Sequence, residues 1–471
     1  MKKLSELVDC SYDFQIAGVT DDSRNVRAGY LFVATHGYYV DHFNFINDAI
    51  SNGAVAVVVD RKVECSVPVI VVQHINDFFA DVCCKFYDID LDDFNFIGIT
   101  GTDGKTTTAT VVAEILSSVD IWAYIGTNGV KIGNIEYPTN NTTPGGCELF
   151  ECLSLIKHCG CNNIVMEVSS EALLHDRLKL FKFDIIGFTN ITEDHLNIHK
   201  TLDNYRNCKF KLLNLLDNDG LVVINGDDVN CRLIYNDNLY SFGMNDDNFC
   251  IISDVKEMSN RVNFSLTFKG GIYGVSSPLL GIYNVYNVTM AFIICMLKGV
   301  DIDCLINSID NLSVVRGRRE YLNFGQEYDI ILDYAHTYNG VKCLLESVSN
   351  YKKIITVTGA AGGREREKRS RIGKLIMDKS SISIFTMDDP RFENVDDIID
   401  QMISGSDKDY IRIIDRKEAI YRAFSLADAD SVVLIIGKGR DSYMAIEDRK
   451  EPYSDYDVIN EYFISKKNFD I

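Results

Sequence analysis

The stretch FNFIGITGTDGKTTTATVVAEIL, residues 94–116, decides the fold. An apolar run ends at Thr100, a glycine loop carries Lys105, and an apolar-periodic run follows. The pattern predicts a strand, a phosphate-cradling loop and a helix N-terminus, in the order a nucleotide site needs. Backbone N–H groups and the helix dipole attract phosphate anions there. Lys105 would reach a terminal phosphate, and the Thr106 hydroxyl would ligate Mg²⁺. The candidate nucleotide residues are therefore Gly101, Thr102, Asp103, Gly104, Lys105, Thr106 and Thr107. The loop is the short form GTDGKTT, with Ile99 where the common P-loop spacing places a glycine. A plain glycine turn is the alternative, and the agreement of strand, loop, lysine, threonine and helix argues against it.

Working outward, strand-like runs recur at NNIVMEV (162–168), DIIGFTNI (184–191) and GLVVING (220–226), with helical stretches between them. That alternation predicts a mostly parallel sheet covered by helices on both faces, within a second unit of residues 93–315. Residues 250–280 read as a small antiparallel excursion. Residues 1–92 precede it, with LFVA (31–34), AVAVVVD (54–60) and VPVIVV (67–72) as strands. After VVRGRRE (314–320), a strand-then-turn theme repeats in EYDIILDYA, KKIITVTGAAGG, SISIFTMDD and DSVVLIIGKG. Residues 316–471 thus read as a third α/β domain with functional turns at the carboxyl ends of its strands.

The 471 residues allow two to four domains, at roughly 100–200 residues per domain. A net charge of −21 argues against non-specific binding to nucleic acid or anionic membranes, and requires local basic clusters for anionic substrates. The 14 cysteines show no C-x-x-C pair or zinc spacing and read as reduced thiols in cytoplasm. The N-terminus lacks the apolar core of a secretory signal, and no run is long enough to span a bilayer. No heptads or long exposed apolar run appear, so a monomer is expected.

Several strand ends carry chemistry. Glu167 follows one strand, and Asp194 with His195 follows another; carboxylate and imidazole at neighbouring strand ends could hold Mg²⁺ or shape a phosphate site. Each alone also reads as a loop cap or surface charge. Lys209 lies on an amphipathic run, where a lysine is usually solvated. Asp333 and His336 follow a strand in LDYAHT (332–337), where a helix cap and a surface histidine are the plain reading. GAAGGREREKR (359–369) offers basic groups on flexible backbone, suited to anions. GKGRDSY (437–443) looks like a phosphate loop without Ser or Thr after its lysine.

Taken together and in order, GTDGKTTT, NTTPGG (141–146), EVSS, TNITEDHLNIH (189–199), LDYAHT, the GG-Arg loop and DDPR (388–391) resemble the Mur ligases of peptidoglycan synthesis. The resemblance covers essentially the whole chain. It is greatest to the type that adds the third residue of the stem peptide, the UDP-N-acetylmuramoyl-tripeptide synthetases. DSRNVRAGYLFVATHG (22–37) looks like that type's UDP-binding signature. The resemblance implies a UDP-binding first domain, a central P-loop ATPase-like domain and a Rossmann-like C-terminal domain. It implies that Asp22, Ser23 and Arg24 lie at the uridine-nucleotide pocket and that Thr142, Thr143, Ser169 and Arg177 grip the muramoyl-dipeptide. Asn284, Asn287, Arg318 and Asp333 would contact ATP, and Glu167 and His195 would ligate Mg²⁺. Lys209 matches a lysine that such ligases carbamylate to help position a second metal. Lys105, His195 and Lys209 would then be the catalytic set. Arg364, Asp388, Asp389, Pro390, Arg391, Gly437 and Asp441 would surround the incoming amino acid.

The implied reaction joins UDP-N-acetylmuramoyl-L-Ala-D-Glu to a diamino acid, driven by ATP. Arg391 suits the distal carboxylate of meso-diaminopimelate or a close analogue such as lanthionine; L-lysine, which lacks that carboxylate, is the alternative. The departures are local. Asp41 and His42 lack the family's intervening glycine, and His175 stands where a glutamine is common. DDPR replaces Asp-Asn-Pro-Arg, and GKGRD replaces Gly-Lys-Gly-His-Glu. Rival readings are a folylpolyglutamate synthetase, a D-alanyl-D-alanine-adding ligase, and a nucleotide-binding scaffold without turnover. The DSR-bearing first domain argues against the folate enzyme, and an intact Lys105, Thr106, Glu167, His195 and Lys209 set against a dead one.

Overall fold

A computed structural model describes residues 1–36 and 41–469. Gly37, the last residue of the expected UDP signature, lies outside the described residues. By its contacts the chain divides into two compact units. One comprises Met1–Thr100, Val112–Gly187 and Cys208–Val222; the other comprises Gly101–Val111, Phe188–Asn207 and Val223–Ile471.

The first unit opens with a four-stranded parallel sheet in chain order: Gly18–Thr20, Tyr30–Val33, Ala54–Val59 and Val69–Val71. β-branched residues dominate its strands, and Ala56, Val57, Val58 and Val59 are all fully buried, as in a sheet covered on both faces. Its second sheet has Asn95–Thr100 parallel to Asn163–Glu167, which in turn pairs in parallel with Trp122–Gly126. The short strands Gly129–Ile132 and Ile135–Tyr137 extend that edge antiparallel.

In the second unit, Cys250–Glu257, Val262–Phe268 and Gly271–Ser277 form the antiparallel excursion expected from the sequence. Further along lies a six-stranded sheet in the order Glu320–Tyr321, Asp329–Asp333, Ser431–Ile436, Lys353–Thr358, Ile382–Phe385, Ile411–Arg412. All its pairings are parallel except the first. The side-chain period of two sorts its strands between two cores. Ile331, Leu434 and Ile436 pack under helices Tyr338–Ser347, Glu367–Lys379 and Val395–Ile403. Ile330, Leu332, Val433 and Ile435 pack under Arg416–Leu426 and Asp455–Phe469. This is a doubly wound sheet, in which ligands bind at the carboxyl ends of the strands. No helix among the described residues is long and apolar enough to cross a membrane.

Candidate active site

Strand Asn95–Thr100 runs into the loop 101–104, and helix Lys105–Leu116 begins at the lysine itself. Two glycines make the loop possible. Gly104 has φ +85°, and a Cβ there would stand 2.3 Å from Asn287 Oδ1. A Cβ on Gly101 would stand 1.9 Å from Thr189 Oγ1. The loop backbone is braced from outside. Asp103 N–H donates to Asn190 Oδ1 (3.0 Å), while Thr189 Oγ1 (2.6 Å) and Asn190 Nδ2 (3.0 Å) donate to Asp103 O. Lys105 Nζ donates to the carbonyls of Gly101 (3.0 Å) and Thr102 (2.7 Å), poised at the loop mouth.

Around this loop the second unit gathers several of the expected ATP residues. Arg318 Nη2 donates to Thr106 Oγ1 at 2.9 Å, and its guanidinium lies over the Tyr334 ring at 4.6 Å. Thr337, the N-cap of helix Tyr338–Ser347, donates its hydroxyl to Asp103 Oδ1 at 3.0 Å. Asn284 and Asn287 are buried on helix Ile282–Leu297 and bonded to each other at 3.1 Å. Asp333 ends its strand and accepts from Arg319 N–H (2.5 Å) and Ala335 N–H (2.6 Å); burial raises its pKa against the pull of Arg318 and these donors. A cavity of about 410 Å³ opens beside the loop, lined by Asp103, Gly104, Asn287, Arg318 and Asp333 together with the apolar and aromatic side chains of Phe242, Ile282, Tyr286 and Met290. A polar anion cradle beside an apolar slot has the chemistry of a nucleotide site.

In the first unit, Glu167 is fully buried at the end of its strand. Its carboxylate accepts from Tyr124 Oη (2.5 Å) and Thr127 N–H (2.9 Å). Thr142 Oγ1 shares a bond with Thr127 Oγ1 (3.1 Å). Thr143 Oγ1 donates to Glu167 O (2.7 Å) and accepts from Ser169 N–H (2.9 Å), while Arg177 Nη1 donates to Thr143 O (3.1 Å). Thr142, Thr143, Glu167, Ser169 and Arg177 therefore form one bonded cluster. Lys209 is 1% exposed, not solvated as its amphipathic run suggested. The helix Leu202–Phe210 docks on Ser170–Leu174 through Cys208 Sγ, which donates to Ser170 O, and this turns the lysine inward.

Asp22 caps the short 3₁₀ turn Ser23–Asn25 and binds the Arg24 guanidinium, with Nη2 to Oδ2 at 2.7 Å. Ser23 is buried and its carbonyl accepts from Asn52 Nδ2 (2.9 Å). The neighbour that sequence reasoning passed over is Asp21. It accepts from Thr35 Oγ1 at 3.0 Å, Thr35 pairs with His42 Nδ1 at 2.9 Å, and a Cβ on Gly146 of NTTPGG would lie 2.7 Å from its carboxylate.

The expected amino-acid residues centre on an unexpected one, Lys438, which is 1% exposed. Its Nζ lies 2.7 Å from Asp389, 3.6 Å from Asp441 and 3.8 Å from Asp388. Burial alone would lower its pKa, and the three carboxylates raise it. Asp388 is itself pushed up to about 6 by burial, with Arg416 and Lys438 opposing. Asp389 and Arg391 flank Pro390 in left-handed backbone, φ 40° and 52°. Arg391 N–H donates to Ala445 O (3.0 Å), and a Cβ on Gly437 would lie 2.5 Å from Asp388 Oδ2. Asp441 Oδ1 accepts from Tyr334 Oη at 2.9 Å. Arg364 Nη1 lies 3.3 Å from His195 Nδ1. Among the described residues no three His, Cys, Asp or Glu side chains gather as a metal-holding group.

With this geometry in place, the comparisons are specific. Residues 99–295 match the Mur ligase middle domain, 317–439 the Mur ligase glutamate ligase domain, and 15–87 the catalytic domain of the Mur ligase family. The UDP-N-acetylmuramoyl-L-alanyl-D-glutamate–2,6-diaminopimelate ligase of Bacillus cereus is 34% identical over 99% of this chain and 99% of its own length. The ligase of the same name from Fusobacterium nucleatum is 32% identical over 98% and 96%. A solved structure of a ligase with that name is 27% identical, with a TM-score of 0.64 and 99% of both chains covered. The ADP complex of Thermotoga maritima MurF, 19% identical, shares the fold with a TM-score of 0.66, over 89% of this chain and 93% of that one.

Proposed function

The chain belongs to the Mur ligase family of ATP-dependent ligases, and we propose that it adds the third, diamino-acid residue to UDP-N-acetylmuramoyl-L-Ala-D-Glu. The third residue in this reading is meso-diaminopimelate or a close analogue. The observation that carries it is Lys438 with its three carboxylates, two of them on the DDPR turn that bears Arg391, in a chain matched end to end by diaminopimelate ligases. Three carboxylates against one lysine leave a surplus of negative charge suited to an ammonium group, and Arg391 offers a planar donor for a carboxylate. Diaminopimelate presents both at its distal end; L-lysine presents only the ammonium.

A carboxylate is a poor electrophile, so the substrate carboxylate is first phosphorylated by ATP to an acyl phosphate, releasing ADP. The incoming amine then attacks the acyl carbon, phosphate leaves, a proton is lost and the amide forms. The loop 101–107 cradles the phosphates with its N–H groups, and Lys105 exchanges its two carbonyl partners for phosphate oxygens. Arg318 holds the Thr106 hydroxyl in place. Mg²⁺ prefers phosphate oxygens and water with only one or two protein ligands, so it does not need the three-residue cluster that is absent among the described residues. Mg²⁺ would supply positive charge to the transferring phosphoryl group. Thr106 and His195 in the second unit, and Glu167 in the first, would offer protein ligands, no more than two to any one ion. The burial of Lys209 fits the carbamylated lysine expected at this position. Thr142, Thr143, Ser169 and Arg177 would orient the muramoyl-dipeptide, and Asp22, Ser23 and Arg24 its uridine nucleotide.

The test is phosphate release from ATP with UDP-N-acetylmuramoyl-L-Ala-D-Glu and, separately, meso-diaminopimelate, lanthionine or L-lysine, with mass spectrometry of the product. Release with diaminopimelate or lanthionine, and a product heavier by that residue, supports the reading. Release with lysine alone refutes the role given to Arg391, and release with no amine refutes the third-residue assignment.

A further inference from the structure

Four consecutive residues after strand Phe183–Phe188 are each held by the basic segment 364–371. Glu193 pairs with Arg371 at 2.9 Å and Asp194 with Lys368 at 3.0 Å. His195 Nδ1 faces Arg364 Nη1 at 3.3 Å, and the Leu196 N–H donates to Glu365. The outer pair is exposed and worth little. The second differs: the Asp194 side chain is 6% exposed and that of Lys368 19%. Asp194 uses both oxygens, Oδ1 for Lys368 and Oδ2 toward His195 Nε2 at 3.4 Å. His195 itself has φ +55°, a left-handed conformation that an L-residue holds only when its surroundings impose it.

We infer that Lys368 is a positioning residue for the ligase reaction, fixing through Asp194 the ring of His195 at the phosphate end of the site. The inference rests on the proposed function for its kinetic part only. The logic is geometric. Asp194 on Nε2 sets the plane of the imidazole, and Nδ1, which faces Arg364, is the nitrogen that would turn to a bound Mg²⁺. Lys368 anchors the other oxygen of Asp194 and, with His195 and His336, compensates its buried charge. Remove the ammonium and the carboxylate turns toward solvent or toward another donor, and the ring turns with it. Displacing a group at a phosphoryl-transfer centre by about 1 Å costs on the order of 100-fold in rate.

The experiment compares Lys368→Met, Lys368→Arg and the charge-free pair Asp194→Asn/Lys368→Met in the full chain. Kinetics are measured with ATP, UDP-N-acetylmuramoyl-L-Ala-D-Glu and meso-diaminopimelate, and the histidine ring ¹⁵N resonances by NMR. The expected result is a kcat about 100-fold lower in K368M, with KM for ATP and for the amine within about threefold. Lys368→Arg should restore kcat to within about tenfold, and the His195 ring signals should move in K368M and return in K368R. The double variant, which buries no unpaired charge, should fold and stay slow. Turnover of K368M close to wild type, a rise in amine KM without loss of kcat, or His195 signals unmoved by the substitution would each overturn the inference. The NMR arm reads the free protein, so it decides the positioning role even if the wild-type chain ligates a different amine.

Discussion

Asp455→Asn tests how the proposed amino-acid end of the site is held. Arg416 and Asp455 are both fully buried and joined twice, Nε to Oδ1 and Nη2 to Oδ2, each at 2.8 Å. The same guanidinium donates to Ile436 O at 3.0 Å and Met387 O at 3.4 Å, the residues just before Gly437 and Asp388. Tyr453 Oη adds a third bond to Asp455 Oδ1 at 2.9 Å. Replacing the carboxylate leaves a guanidinium buried without its counter-charge, and breaking such a pair costs about 3–5 kcal/mol. At about 2–4 °C per kcal/mol for a domain of this size, the melting transition of the C-terminal residues should fall by roughly 6–20 °C. A geometric consequence accompanies it: with the two carbonyls less firmly held, KM for the amine should rise about tenfold while KM for ATP stays within about threefold. Differential scanning calorimetry and steady-state kinetics measure the two effects. Arg416→Met/Asp455→Leu, which removes both charges, should recover much of the lost stability. A single variant that melts within 2–3 °C of wild type (about 0.5–1.5 kcal/mol on the scale above, short of the 3–5 expected), or a double variant no more stable than the single, would refute the reasoning.

Two further outcomes follow from the same geometry. Gly104→Ala combines a left-handed φ of +85° with a Cβ 2.3 Å from Asn287 Oδ1, so strain and overpacking of about 1–3 kcal/mol each should raise KM for ATP at least tenfold. Fluorescent-nucleotide titration reads this directly, and unchanged affinity would mean that the loop does not receive the phosphates. Asp388 gives a pH signature. Its folded pKa of about 6 exceeds the ordinary carboxylate value of 3.8, so the folded state binds the proton more tightly than the unfolded chain. Its contribution to stability is therefore fullest below pH 3.8 and is lost as pH rises through 6. The melting temperature of Asp388→Asn relative to wild type should accordingly climb between pH 4 and 6 and level off above; a flat difference across that range would contradict the buried carboxyl.

The parts of the fold that sequence made legible are those that local chemistry settles. Residues 94–116 declare strand, loop and helix because glycine, lysine and threonine needs are all met within seven positions of one another. The C-terminal sheet was legible from runs such as DIILDYA and SVVLIIGKG, whose alternating residues enter two different cores. What stayed hidden depends on partners distant in the chain. Lys209 sits on a run that reads as solvated, and only the docking of its helix on Ser170–Leu174 buries it. Lys438 was passed over as part of a weak phosphate loop, since nothing near it announces that Asp388 and Asp389, some 50 residues earlier, converge on its amine. Asp21 gave no signal beside the more conspicuous DSR, although Thr35 and His42 make it the centre of a bonded trio. Arg364, grouped with the amino-acid residues through the family resemblance, also stands 3.3 Å from His195, a partner that its place in the chain does not announce.

The departures from the family motifs gain sense from these distant partners. An aspartate at 389 in place of asparagine adds a charge to a buried turn, which would be costly by itself. Here Lys438 stands 2.7 Å away, and the same oxygen accepts from Ala445 N–H at 2.9 Å. The arginine at 440, where a histidine is usual, does not enter the pocket: it donates Nε to Glu320 at 2.8 Å and lies 3.5 Å over the Tyr456 ring. The shorter acid at 441, in place of glutamate, reaches Tyr334 and remains 3.6 Å from Lys438. Each change is matched by a charge or donor already present, so the three substitutions read as one adjusted network rather than as decay of a site. That network retains more carboxylates than cations, while Arg391, two residues along from Asp389, carries its guanidinium past Gly363. An incoming residue with both an ammonium and a carboxylate at its far end satisfies both; one with an ammonium alone leaves the arginine unused. Changing Arg391 should therefore penalise the first kind of substrate and leave the second almost untouched, which ties the choice of third residue to a single side chain.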